Sequence, residues 1–304
     1  MPATPEAPAP IVILGTGRSF SSVICSMIGQ HPAMIGLPET NVFRDPTVGQ
    51  VYDRFGRGAA AIRRSGMLRT LAEFHAGAQT EETVDEAEIF VIEHEDWTFV
   101  DMARYIRQIA APRGIVEKSI STCRDRETLD RALQAWPDAR FIHITRQPEA
   151  IVNSMKSRVD DAMDKGKGKR VTKLLQSHSL DEYFTTYTST ILGFMAALPP
   201  GRGMNLHGEN FLTDGRLYAR QICEWAGLDA SDAAVERMMH PEDSPFARKG
   251  PENARGGMSS TFLDNPQYSG KPVTVKPMTI DAGDAALEKD RRSMAVFGNR
   301  LGYL

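Results

Sequence analysis

The chemistry-bearing residues of this chain begin in Gly15-Thr16-Gly17-Arg18-Ser19-Phe20-Ser21-Ser22, which follows the apolar run Ile11-Val12-Ile13-Leu14. A buried strand that feeds a glycine turn and then a helix N-terminus makes an anion site, because backbone N–H groups and the helix dipole both face negative charge. The loop does not read GxxxxGK[ST], the form that grips the β/γ-phosphates and Mg²⁺ of ATP. Its chemistry is therefore phosphate binding of another kind. Serine is also the ordinary N-cap of a helix, which is the plainer role for Ser19, Ser21 or Ser22. A second strand pattern, residues 139–145, ends in Arg146, with Ser154 eight residues later and Arg158 four beyond it. The planar guanidinium fork suits two parallel hydrogen bonds to phosphate oxygens. The plainer reading of Arg146 is a partner for Glu149.

Two more residues stand just past strand patterns. Glu39 lies in Gly36-Leu37-Pro38-Glu39-Thr40, and Lys118 in Val116-Glu117-Lys118-Ser119. Alone, the first reads as a solvated loop carboxylate and the second as a salt-bridged lysine at a strand end. Glu117 reads as a partner for a neighbouring cation. His94, in Glu93-His94-Glu95-Asp96-Trp97, is a lone histidine among carboxylates and most simply a surface residue.

The glycine–arginine–serine loop and the Arg146…Ser154 spacing, in this order, resemble the sulfotransferases that use 3′-phosphoadenosine 5′-phosphosulfate. The resemblance spans roughly residues 11–42, 113–158 and 204–228. It implies an α/β fold with a mostly parallel sheet flanked by helices, P-loop-like. It implies that Gly15, Thr16, Gly17, Arg18, Ser19, Phe20, Ser21 and Ser22 hold the 5′-phosphosulfate. Arg146, Ser154 and Arg158 then hold the 3′-phosphate. Glu39 is placed as the general base, which an alcohol acceptor needs because it is a poor nucleophile until its proton is taken. His94 is the fallback for that role. Lys118, with Arg18, is placed to stabilise charge on the departing bisphosphate. No metal is called for, since lysine and arginine supply the positive charge. The chain departs from the family pattern at Gly17 (commonly Pro), at Phe20 (commonly Gly) and at Gly208, where an aromatic often precedes the glutamate at position 209.

Alternation of apolar strands with helical periods supplies the frame that must position these residues. Strands are expected at 11–15, 34–37, 114–117, 140–145 and 204–207. Helices are expected at 20–30, 57–77, 97–110, 125–135, 147–157, 180–197 and 211–227. The acidic stretch 80–88 reads as a surface loop. Residues 240–277, rich in Gly, Pro, Ser and Asn, read as a lid or substrate loop, with Arg248, Lys249, Arg255 and Gly256-Gly257 able to close on the nucleotide. Residues 1–10 read as a loose arm before a single domain, 11–304. A charged helical tail is expected from about 280. Lysines and arginines crowd 165–173, a pattern usual in solvated loops.

With 304 residues the chain can bury a sizeable core. A net charge of −3 argues against a nucleic-acid partner. No apolar run reaches the ~20 residues of a membrane span. Three scattered cysteines, Cys25, Cys123 and Cys223, fit reduced thiols in a cytoplasmic compartment. The expected partner is a small-molecule hydroxyl acceptor. A P-loop kinase or phosphotransferase is the first rival, and it would need a loop lysine and a metal-binding aspartate. A non-catalytic nucleotide-binding protein is the second.

Overall fold

The computed structural model describes residues 7–55, 63–151, 153–154, 180–275 and 296–303. Five strands, β1 (Ile11–Leu14), β2 (Met34–Gly36), β3 (Gly114–Glu117), β4 (Arg140–Thr145) and β5 (Gly203–His207), form one sheet in the order β2-β3-β1-β4-β5. Every pairing is parallel. All four residues of β1 are buried. A strand covered on both faces must be apolar throughout, which is why residues 11–14 show no polar alternation. Val12 and Leu14 point into one core with Phe141 and Ile115. Ile11 and Ile13 point into the other with Ile142 and Ile144.

Helix α1 (Ser21–Gly29) covers the second face, buried along Ile24, Cys25, Met27 and Ile28. On the first face lie α2 (Val48–Phe55), α3 (Ser65–Ala76), α4 (Glu81–Glu93), α5 (Phe99–Ala110) and α6 (Arg126–Ala135). Three of these differ from the sequence expectation. The acidic stretch expected as a loop at 80–88 is the start of α4. Thr80 and Thr83 form a reciprocal capping box, and Glu81 and Glu82 sit in the first turn, where the dipole favours carboxylates. Val84, Ala87 and Val91 give it a narrow buried stripe. Of the helix expected at 57–77, residues 57–62 lie outside the described residues and the rest is α3 from Ser65; α2 was not anticipated.

Beyond the sheet, the helix expected at 211–227 is two, Gly208–Thr213 and Gly215–Ala226. Asp214 breaks the run by accepting from the Leu217 N–H at 3.2 Å as a new N-cap. The second of the two ends at Gly227 in the left-handed region, φ 72°. Helices Leu180–Ala196 and Asp232–Met238 complete the cover. Residues 8–10, expected as part of a loose arm, lie against the sheet, where the Arg140 N–H donates to Pro10 O at 2.8 Å. The described part of the C-terminal tail, 296–303, packs Phe297 and Leu301 against Ile151 and Phe184. No described helix is long and apolar enough to cross a membrane.

Candidate active site

Each strand hands a functional side chain to the same edge of the sheet. Past the C-terminal ends, in spatial order, stand Glu39 after β2, Lys118 after β3, the Gly15–Phe20 loop after β1, Arg146 after β4 and Glu209 after β5. Open parallel sheets bind ligands at this edge. Three strand spacings separate β2 from β4, about 14 Å. A cleft of about 1230 Å³ opens there, lined by residues 17–23, Glu39, Arg146, Ser154 and much of 249–263.

The loop after β1 is held open by its own polar contacts. Thr16 and Ser19 share a hydrogen bond between hydroxyls at 3.0 Å. Arg18 and Phe20 both adopt positive φ, 74° and 64°. Such conformations cost non-glycine residues about 1–3 kcal/mol each and persist only where the surroundings enforce them. Phe20 is the N-cap residue of α1 and offers no side-chain cap, so none of the serines takes the N-cap role that is the plainer reading for them. Arg18 reaches out of the loop. Its Nε donates to Ser154 Oγ at 3.0 Å, Nη1 to Ser259 Oγ at 3.3 Å and Nη2 to Thr261 Oγ1 at 3.3 Å. Ser22 Oγ accepts from the Ser259 N–H at 3.3 Å.

Arg146 closes on the same loop. Its Nη1 donates to Arg18 O at 2.8 Å, and its guanidinium lies 4.4 Å from the Phe20 ring centre. Burial lowers its pKa and the Glu209 carboxylate opposes the shift. Glu209 itself is spoken for. It accepts from the Gln147 N–H at 2.9 Å and from Tyr303 Oη at 2.8 Å. Tyr303 also shares a hydrogen bond with Thr145 Oγ1 at 3.1 Å. The two departures at Phe20 and Gly208 meet in space. A Cβ on Gly208 would stand 2.7 Å from Phe20 Cδ2 and 3.1 Å from Thr145 O, so glycine at 208 is what admits the ring.

The other end holds an ion pair. Lys118 Nζ donates to Glu39 Oε1 at 3.0 Å; the lysine side chain is fully buried, while the carboxylate is 30% exposed toward the cleft. Gly257 O accepts from the Glu39 N–H at 2.7 Å and from Lys118 Nζ at 3.4 Å. Gly257 needs to be glycine, with φ 93° and a built Cβ only 2.8 Å from Gly66 Cα. Behind the pair, Glu117 accepts from the Ser119 N–H at 2.9 Å, from the Ser119 hydroxyl and from Thr40 Oγ1 at 3.3 Å. It pairs with hydroxyls instead of the cation expected from sequence. Burial pushes its pKa up, against the pull of the Ser119 hydrogen bonds. Ser119 Oγ also accepts from the Asn41 N–H at 2.8 Å, tying the Glu39 segment to the Lys118 segment.

Of the stretch expected as a lid or substrate loop, the described residues 240–275 contribute a wall of the cleft with short helical turns, including Ser260–Asp264; 276 and 277 lie outside the described residues. Arg69 pins that wall from α3. Its guanidinium donates to Gly256 O at 3.1 Å, Phe246 O at 3.3 Å and Arg248 O at 2.8 Å, and burial lowers its pKa to about 10. Lys249 and Arg255 line the cleft in ion pairs with Asp264 and Glu252.

Of the residues singled out in the sequence, Gly17, Arg18, Ser19, Phe20, Ser21, Ser22, Glu39, Arg146 and Ser154 line the cleft, with Gly15, Thr16 and Lys118 directly behind them. Arg158 and the basic stretch 165–173 lie outside the described residues. His94 is not brought to the cleft. It caps the far end of α4, about 20 Å along the helix from Glu81, which does line the cleft. There its Nδ1 contacts Phe90 O at 2.7 Å and its ring stacks on Phe90 at 4.2 Å. Sequence reasoning missed Ser259, Thr261, Arg69 and Tyr303. The run Ser259-Ser260-Thr261 after Gly256-Gly257 repeats the glycine-then-hydroxyl pattern of the first loop, and that was the available signal. Nothing local marks Arg69 or Tyr303. Among the described residues, no group of three or more His, Cys, Asp or Glu is arranged to hold a metal ion.

The sulfotransferase family profile matches residues 10–232. The sulfotransferase domain of the curacin biosynthetic pathway superposes with a TM-score of 0.74 at 16% identity, covering 98% of this chain and 99% of its own. The sulfotransferase domain of the Synechococcus PCC 7002 olefin synthase superposes with a TM-score of 0.67 at 19% identity, covering 96% of each chain. Both share the fold. No curated protein matches the chain.

Proposed function

This chain belongs to the sulfotransferase family, and from that premise we propose that it moves a sulfuryl group from 3′-phosphoadenosine 5′-phosphosulfate to a hydroxyl of a small molecule. The observation that carries the reading is the meeting of two distant motifs. Arg18 Nε bonds Ser154 Oγ at 3.0 Å and Arg146 bonds Arg18 O at 2.8 Å, across more than 120 residues of sequence, beside a buried Lys118–Glu39 pair. The donor set fits a nucleotide with two anionic ends: guanidinium forks and hydroxyls at one side, an ammonium at the other.

In this reading Arg18, Ser19, Ser21 and Ser22 hold the phosphosulfate, and Arg146 and Ser154 hold the 3′-phosphate. The donor supplies the transferable sulfuryl group. Glu39 takes the acceptor's hydroxyl proton on a carboxylate oxygen as the acceptor oxygen bonds to sulfur. Lys118 donates toward the bridging oxygen whose bond to sulfur breaks, stabilising the charge that develops there. The acceptor enters over Glu39 along the 249–263 wall. A small biosynthetic molecule is in line with the systems for which the two solved domains are named. Three free, buried cysteines support a reducing, cytoplasmic setting.

Two measurements test this. Calorimetry with adenosine 3′,5′-bisphosphate should give binding, and incubation with the sulfate donor and a panel of hydroxylated acceptors should give one acceptor heavier by a sulfuryl group. Absence of affinity for donor and bisphosphate alike overturns the reading. Binding without transfer to any alcohol or phenol would favour a nucleotide-binding protein without catalysis.

A further inference from the structure

Phe20 sits at a position where the backbone resists it. Its φ of 64° lies in the left-handed region, which is a genuine outlier for a bulky side chain. Its ring fills the room that Gly208 leaves open, with Cδ2 at 2.7 Å from where a Cβ would stand. Its ring centre lies 4.4 Å from the Arg146 guanidinium carbon. The ring also lines the cleft. A strained aromatic, a glycine that makes room for it and a cation stacked on it come from three separate segments, after β1, β4 and β5.

We infer that Phe20 is a positioning residue: seated in the notch at Gly208, its ring holds the Arg146 guanidinium in the plane and place from which it grips the donor's phosphate. Among the described residues, the Arg146 side chain has one hydrogen bond, to Arg18 O. One hydrogen bond leaves a guanidinium free to swing about it, and contact with an aromatic face removes that freedom through the ring's quadrupole. Preorganising the fork means less ordering is needed when the anion arrives. The inference rests on the donor reading proposed above.

The test is a set of affinities for adenosine 3′,5′-bisphosphate measured on the full chain. Phe20→Ala should weaken binding about fivefold, and Phe20→Tyr should restore it, since the ring face is kept. Gly208→Ala should weaken binding similarly by evicting the ring, and the double variant should be no worse than either single one. On an Arg146→Ala background, Phe20→Ala should cost nothing further, a result that loss of general packing would not give. Unchanged affinity in Phe20→Ala, or losses that add with Arg146→Ala, would overturn the inference; the milder Phe20→Leu serves if the alanine variant does not fold. If the wild-type chain itself fails to bind the bisphosphate, the donor reading is what falls. The notch is then decided by melting temperatures, where additive losses from Phe20→Ala and Gly208→Ala overturn the pairing.

Discussion

The two ends of the sheet edge handle charge in opposite ways. On the β2–β3 side a fully buried lysine is paired with a partly exposed carboxylate, and one backbone carbonyl, Gly257 O, serves both residues. On the β4 side Arg146 is met by a carbonyl and an aromatic ring, while the nearby Glu209 is engaged by Gln147 and Tyr303. A carbonyl and a ring orient the cation without a carboxylate occupying its fork, which in the proposed reading leaves the β4 side able to take an anion. The β2–β3 side is self-satisfied at rest. In the proposed reading, an incoming anion would draw Lys118 and free Glu39 for a proton, coupling donor binding to readiness of the base. One end should therefore govern rate, and the other affinity.

Rate is where the largest effects are expected. Glu39→Gln keeps an acceptor for Lys118 but removes the base, and kcat should fall about 10³-fold. Binding of the bisphosphate, followed by calorimetry, should stay within about twofold. Lys118→Ala should lower kcat about 10²–10³-fold. It should also lower the melting temperature, because it strips the partner from Glu39 at a site walled by the buried Glu117. Near-normal turnover in Glu39→Gln would break the division between the ends. Arg146→Ala comes next, with the Kd for the bisphosphate rising about 30-fold, and kcat at saturating donor within about threefold. If Arg146→Ala instead lowered kcat with Kd unchanged, the two ends would not be separate in function.

A smaller effect sharpens the comparison at the wall. Arg69 donates to three backbone carbonyls of the 246–256 segment, and Gly257 immediately follows. Arg69→Lys retains the charge but not the fork, whose spread nitrogens reach the three carbonyls and the Gln79 amide oxygen together. Kinetic and binding assays should show kcat down about tenfold with a smaller rise in the donor's Kd, since Arg69 acts through Gly257 on Glu39 and Lys118 and, further along the wall, through Ser259 on Arg18. Equal losses at both ends would mean that Arg69 merely holds the fold together.

The frame and the two ends were not equally legible in the sequence. Strand β1 announces itself because a doubly covered strand has no polar alternation, and glycines at 15 and 17 mark where it must turn. Glu39, Lys118 and Arg146 were reachable because each stands one to three residues beyond such a strand. The helix α4 was hidden by its own charges. Its buried stripe is only Val84, Ala87 and Val91, and the capping threonines look like loop residues until their reciprocal bonds are seen. Arg69 and Tyr303 reach the site from segments far away in the chain, so no local spacing reveals them. The Phe20–Gly208 pair shows the same limit from another side. Each looks like a lapse from a family pattern when read alone, and only contact across more than 180 residues makes sense of both.

Acidification should expose a smaller effect, beneath the two ends. Each end rests on a buried titratable group: His143, three residues before Arg146, and Glu117, one before Lys118. Burial lowers the His143 pKa from 6.5 to about 4, with the neighbouring His207 adding to the shift and a hydrogen bond with Asn205 opposing it. The unfolded chain therefore binds a proton between pH 6.5 and 4 that the folded chain refuses. Stability from this group is present above 6.5 and is lost as pH falls toward 4, by roughly 3 kcal/mol in all. Glu117 runs the other way. Its pKa is raised by burial, so the folded chain holds a proton that the unfolded chain releases above 4.5, and its contribution is lost as pH rises through the folded value. Denaturant melts at several pH values between 4 and 6.5 should show a positive slope of stability with pH that flattens in His143→Gln and steepens in Glu117→Gln. If His143→Gln kept the wild-type slope, acid sensitivity would not originate under the Arg146 end.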